Sequence, residues 1–270
     1  MYRLGCCIPG ASFMPEGVGK ISCSAFEVLQ SGTAVIRQNG YDFAEATVGL
    51  IMGLSEEALA QCSNLFSIEI CNSFIPPEYP IITGSGPSAA LKDYVRRALQ
   101  RMDQLNIRTV VFGSGTARRI PEGISQKDGM KEFRDFLLLC EAYGKQYDVC
   151  IAIEPLNRRE TNAVTTVAQA AEIAAELNLP HISVLADAFH MYCEQEPLSV
   201  LRDAMPYLTH VHVSDPDRSR PGQDGGAYLR TFAEELINAG YCRRITSESV
   251  YKDFPAESRA GLEFMKKIFA

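Results

Sequence analysis

VCIAIEPLNRRETNAVTTVAQAAEIAAELNLPHISVLAD, residues 149–187, carries the pattern that decides the fold. A short apolar run from Val149 to Glu154 predicts a strand that Pro155 stops. An amphipathic stretch from Thr165 to Leu177 predicts a helix, and Ile182 to Asp187 predicts the next strand. Strand, helix, strand is one βα unit handing over to the next. Working outward, the same alternation predicts strands at Arg3 to Ile8, Phe43 to Val48, Ser67 to Ser73, Thr109 to Gly113, Leu208 to Val213 and Arg244 to Ser249. Helices are predicted at Ala25 to Gln38, Ser55 to Leu65, Ser88 to Leu105, Asp128 to Gln146, Pro197 to Met205, Ala227 to Ala239 and Pro255 to Phe269. Ser55 and Ser88 are suited to cap their helices. Eight βα units fill the 270 residues, no composition break marks a linker, and no GxGxxG follows the first strand. The α/β class is therefore expected as one domain over residues 1–270, a single (β/α)₈ barrel with its active site at the C-terminal ends of the strands; an open doubly wound sheet is the alternative. The longest insertions, Pro76 to Pro87, Ser114 to Lys127 and Ser214 to Gly226, fall where a barrel keeps its active-site loops.

Hydrophobic residues at 46% and charged residues at 22% suit a chain with a substantial core. The formal net charge of −7 gives phosphate backbones and anionic membranes nothing to hold, so neither a nucleic acid nor a membrane is expected as a partner. The nine cysteines are scattered without a CxxC pair, which suits a reducing compartment and mostly buried thiols. The first apolar run is broken by Pro9 and Gly10, and no later stretch is long enough to span a bilayer. A cytoplasmic protein is the expectation.

Four consecutive strands end in a residue able to bind a metal. Alternation in Cys150-Ile-Ala-Ile-Glu154 turns Glu154 toward the barrel axis. Asp187 closes the sixth strand, with His190 three residues on in the loop. His210 and His212 share a face of the seventh strand, His212 nearer the active end, and Glu248 lies on the eighth. Singly, such a carboxylate reads as a solvated loop residue or a helix cap, and His210 as a hydrogen-bonded core histidine. Jointly, a closed barrel brings Glu154, Asp187, His212 and Glu248 to one rim, where three carboxylates conflict unless a cation joins them. Three hard oxygens and one imidazole favour one Mn²⁺ or Mg²⁺, with Co²⁺ also suited.

Glu154-Pro-Leu-Asn-Arg, Asp187-Ala-Phe-His190-Met, His210-Val-His212 with Arg218 and the Pro221-Gly222 turn, and Glu248 resemble the xylose-isomerase-like barrel superfamily, particularly its ketose 3-epimerases of the tagatose and psicose kind. The resemblance covers roughly Val149 to Tyr251. It implies that Glu154, Asp187, His212 and Glu248 bind the metal, that His190 and Arg218 hold substrate oxygens, and that Glu160 orients His190 from the following loop. Arg218 has a plainer reading as a surface partner of Asp215, Asp217 or Asp224. Barrels of this kind commonly pair through their outer helices, which implies a homo-dimer or homo-tetramer.

Such a site moves a proton next to a sugar carbonyl through a metal-stabilised enediolate. Glu154 and Glu248 flank the gap from two sides, so one takes the proton and the other returns it, which inverts a carbon. Ketose 3-epimerisation is the leading expectation. A 1,2 aldose–ketose isomerase of the hydroxypyruvate type, an inosose-type dehydratase and a catalytically silent sugar-binding barrel are the alternatives. A nuclease is disfavoured by the charge, by only four histidines, none before residue 181, and by a loop, Asp215-Pro-Asp217-Arg218, that lacks one. Phe112-Gly-Ser-Gly with Arg118 and Arg119 reads either as a phosphate cradle or, more often for such runs, as a tight turn, and a free sugar is favoured over a phosphorylated one.

Overall fold

Parallel strands β1 (Arg3–Cys7), β2 (Phe43–Thr47), β3 (Ile68–Asn72), β4 (Thr109–Phe112), β5 (Cys150–Ile153), β6 (Ile182–Asp187), β7 (Leu208–Val213) and β8 (Arg244–Ser247) pair in sequence order, and β1 pairs with β8 to close the barrel. The molecule is described from a computed structural model, which covers residues 2–9, 23–65 and 67–270; Gly10 of the predicted amino-terminal break lies outside the described residues. The helices outside the barrel are α1 (Ala25–Asn39), α2 (Val48–Met52), α3 (Glu56–Cys62), α4 (Ala89–Gln104), α5 (Gln126–Tyr147), α6 (Val167–Leu177), α7 (Ala188–Cys193), α8 (Val200–Ala204), α9 (Ala227–Asn238) and α10 (Phe254–Ile268). Ser55 and Ser88 do cap α3 and α4, each hydroxyl accepting from a backbone N–H three residues on. Among the described residues, no helix is long and apolar enough to cross a membrane.

Two short helices were not expected. α2 follows β2 directly, and α7 begins where β6 ends, so His190 sits in a helix rather than in a loop. The cause of α7 is local: Asp187 adopts extended backbone and its Oδ1 accepts from the Phe189 N–H at 2.9 Å, which caps the turn. The predicted helix Pro197 to Met205 shrinks to α8, and β5 and β8 end one residue before Glu154 and Glu248.

Period two places Phe43 and Glu45, Ile70 and Asn72, Ala152 and Glu154, Leu185 and Asp187, and His210 and His212 on the inner face of the barrel. Its lower half is apolar, with Phe43, Ile70, Val111, Ala152 and Leu185 forming a cluster separate from the larger core between strands and helices. Gly5 makes room for it, because a Cβ there would collide with the Phe43 ring. Phe43, Ile70, Val111 and Leu185 each contribute roughly 1.5–3 kcal/mol by their burial. The apolar floor fixes the depth at which the polar upper half begins. At the opposite end of the barrel, Glu69 pairs with Arg3 at 2.6 Å and Arg244 at 2.9 Å and ties β1, β3 and β8 together.

Candidate active site and metal centre

Ligand atoms of Glu154, Asp187, His212 and Glu248 all lie within 4.8 Å of one another, and all four residues are buried. His212 Nδ1 is 3.4 Å from Glu154 Oε1 and 3.3 Å from Glu248 Oε2. His212 Nδ1 and Glu154 Oε1 are buried without a hydrogen-bond partner, and Glu248 Oε2, also buried, has only the Arg218 guanidinium beside it. Leaving a buried polar atom unpaired costs about 1–3 kcal/mol each, so two of them facing one point beside a third carboxylate oxygen mark a candidate cation site. Three carboxylates and one imidazole suit a hard divalent ion.

The two glutamates are pushed in opposite directions. Burial and the neighbouring Glu248 raise the Glu154 carboxyl to about 7. Burial acts on Glu248 too, but His212 and Arg218 outweigh it and lower that carboxyl to about 2.

Arg218 belongs to this cluster and not to the surface. Its Nη1 donates to Asp187 Oδ2 at 2.7 Å, its Nη2 lies 2.8 Å from Glu248 Oε2, and its guanidinium covers the Phe189 ring at 4.4 Å. The backbone there is left-handed, with φ 65° at Arg218, a conformation that costs a non-glycine residue on the order of 1 kcal/mol. The loop holds it in place: Arg218 N–H donates to Asp215 O, Val250 N–H donates to Arg218 O, and the Asp215 carboxylate accepts from Gly222 N–H and Asp224 N–H.

His190 is buried beside them. The Asn157 N–H donates to its Nδ1 at 3.1 Å, so the neutral ring carries its proton on Nε2. That nitrogen lies 3.6 Å from Asp187 Oδ2. Burial, helped by Arg218, lowers the pKa of the ring and keeps it neutral. Glu160 lies 3.9 Å from His190 Nδ1 and is linked to it through Asn157, whose Nδ2 donates to Glu160 Oε1 at 2.7 Å and sits 3.0 Å from the ring. Asn157 and Asn72, whose Nδ2 is 3.4 Å from Glu248 Oε1, are site residues that sequence reasoning passed over. So is Glu45, which bridges His210 and His212.

The Gly-Ser-Gly turn after β4 is a support for Glu154 and does not cradle phosphate through Arg118. Arg118 is fully buried and donates to the carbonyls of Phe112, Glu154 and Val164 at 3.0, 2.7 and 3.1 Å. A Cβ on Gly113 would collide with Glu154 Oε2, and one on Gly115 would press on the Glu160 carbonyl. Glycine at 113 therefore lets the carboxylate reach the axis.

Above the cluster opens a cavity of about 650 Å³, whose lining includes the polar Glu154, Glu248, His190 and Arg218 and the apolar Ile75 and Leu156. A mixed lining in which a few polar groups converge on buried charges among apolar side chains is the feature of a small-molecule site.

Residues 34–268 match the family described as xylose isomerase-like TIM barrel. A Synechocystis protein named "Probable ketose 3-epimerase" is 31% identical over 129 residues, 47% of this chain and 44% of its own length. The "3-dehydro-D-guloside 4-epimerase" of Escherichia coli is 32% identical over 112 residues, 41% of this chain and 42% of its own length. The chain thus spans less than half the length of these curated relatives. A D-psicose 3-epimerase structure determined in the presence of D-fructose superimposes with a TM-score of 0.81 at 17% identity, covering 99% of both chains, and at that identity the likeness shows the fold alone. By the family match over most of its length, this chain belongs to the xylose isomerase-like TIM barrel family.

Proposed function

We propose that the protein is a divalent-metal-dependent sugar epimerase that inverts C3 of a ketose by proton transfer. The observation that carries the proposal is the convergence of Glu154, Asp187, His212 and Glu248 on one buried point, where Glu154 Oε1 and His212 Nδ1 lack a hydrogen-bond partner, beneath a sugar-sized cavity. Relatives named as epimerases support the reaction class.

Glu154, Asp187, Glu248 and the Nδ1 atom of His212 would hold the cation, Mn²⁺ by preference, with Mg²⁺ or Co²⁺ also suited to the donors. Bound there, it would polarise the substrate carbonyl and offset the charge that develops on the sugar oxygens. Glu154 takes the proton from carbon on one face of the sugar and Glu248 delivers one on the other, a transfer by positioned carboxylates that contributes about 10²- to 10⁴-fold. His190 donates its Nε2 proton to a substrate oxygen, and Arg218 binds a neighbouring oxygen from the Asp187 side. Asn157 holds His190 in the required tautomer, with Glu160 behind it. Five of the nine cysteines are buried and all nine are free thiols, which supports residence in the reducing cytoplasm. Assembly as a homo-dimer or homo-tetramer completes the proposal, and light scattering at micromolar concentration tests it separately from the chemistry.

The test is product analysis with Mn²⁺ and free ketoses. Interconversion of D-fructose with D-psicose, or of D-tagatose with D-sorbose, is the expected result. An aldose product would make it a 1,2-isomerase, a product lacking one water a dehydratase, and binding without turnover a silent sugar-binding barrel.

A further inference from the structure

The polar upper half of the barrel contains a carboxylate that the reaction proposed above does not use. Glu45 is fully buried on β2 and reaches across the interior to β7, three strands away around the ring through β1 and β8. Its Oε1 lies 2.9 Å from His212 Nε2 and its Oε2 lies 3.0 Å from His210 Nε2. Burying a lone carboxylate costs several kcal/mol unless every oxygen finds a donor, and here both oxygens face an imidazole.

We propose that Glu45 is a positioning residue that fixes the tautomer of His212 and so aims the lone pair of its Nδ1 at the cation site. The inference rests on the reading that Glu154, Asp187, His212 and Glu248 hold a divalent ion. A carboxylate can only accept, so each ring that meets Glu45 must present an N–H at Nε2. A neutral imidazole has one N–H, and Nδ1 is then left with its lone pair. On His212 that atom is the one facing Glu154 Oε1 and Glu248 Oε2. The other tautomer would set two lone pairs against each other at Glu45 and place a proton where a ligand atom is needed. His210 makes the arrangement stiffer: it occupies the second oxygen of Glu45, its Nε2 also meets Thr246 Oγ1 at 3.2 Å, and its ring stands at 86° to that of His212. With both oxygens engaged, the carboxylate has no freedom to turn away. A carboxylate behind a ligating histidine both orients the ring and raises its basicity, and removing such a partner typically weakens metal binding 10- to 100-fold.

Glu45→Met tests the role at nearly unchanged size and shape. A methionine offers neither ring an oxygen acceptor, so the Nε2–H of His212 loses its partner and the tautomer is no longer held. Mn²⁺ titration of chelator-stripped protein, read by competition with a fluorescent chelator, should show a dissociation constant about 10- to 100-fold higher in the variant at an unchanged circular dichroism spectrum. Nitrogen NMR of the Mg²⁺-loaded wild type, which is diamagnetic, should place the His212 ring proton on Nε2; this measurement decides the matter alone if the variant does not fold. A His212 proton on Nδ1 in the loaded wild type, or a folded Glu45→Met protein that binds Mn²⁺ as tightly as the wild type, would overturn the role of Glu45. A wild type that takes up no divalent ion would instead overturn the cation reading and this inference with it.

Discussion

At the scale of single residues, the neighbours of His190 restrict what it can do. With Nδ1 engaged by the Asn157 N–H, only Nε2 faces the cavity, and it faces it as a donor. His190→Ala should therefore lower turnover by about 10²- to 10³-fold, the usual effect of deleting a donor to a developing oxyanion, while metal content per chain stays as in the wild type. Loss of the metal in that variant would make His190 a ligand. The convergence of the four residues was legible in the sequence because alternation on four successive strands sent Glu154, Asp187, His212 and Glu248 to one rim, and His210 is indeed a hydrogen-bonded core histidine. Glu45 was not legible. A lone glutamate within Phe-Ala-Glu-Ala-Thr carries no local sign of burial, and its partners lie 165 and 167 residues further along the chain. Asn157 lies inside the Glu154-Pro-Leu-Asn-Arg stretch, but its hold on the His190 ring comes from a backbone N–H, which composition does not reveal.

At the scale of elements, the junction after β4 governs the position of Glu154. Gly113 leaves the space that Glu154 Oε2 enters, and Arg118 holds the carbonyls of Phe112 and Glu154 side by side. Gly113→Ala should displace the carboxylate and lower kcat/KM on the order of 10²-fold, since displacements of this size are felt that strongly in catalysis. Thermal unfolding measured alongside should show the barrel intact, and unchanged kinetics would mean that Glu154 does not work from this position. The strand and helix order was readable because eight periodic segments repeat the same alternation. The ends were less readable: Glu154 and Glu248 belong to the pattern of their strands but lie one residue beyond the paired backbone. α2 and α7 span only 5 and 6 residues, too short to show helical periodicity, and α7 exists because Asp187 caps it.

At the scale of the whole molecule, the barrel gathers three acidic side chains and an imidazole at one buried point, and if they hold the proposed cation its binding must compete with protons. Burial and Glu248 raise Glu154 to about 7, and His212, despite burial, is raised well above its ordinary value by Glu45 and Glu248. Both must lose a proton to bind. The apparent affinity for Mn²⁺ should accordingly fall as pH drops through about 7, with protons released on binding near neutrality; calorimetry in buffers of different ionisation enthalpy counts them. Affinity independent of pH between about 5.5 and 8 would mean that these groups are not the ligands. The central claim is that two glutamates move a substrate proton, and exchange with solvent tests it most directly. The Mn²⁺-loaded protein is incubated in D₂O with a panel of free ketoses, and the sugars recovered at partial conversion are analysed by NMR and mass spectrometry. Deuterium at C3, in both the epimer formed and the ketose recovered, is the predicted result; an epimer formed without deuterium, or a metal-loaded protein that leaves every ketose unlabelled, would contradict it.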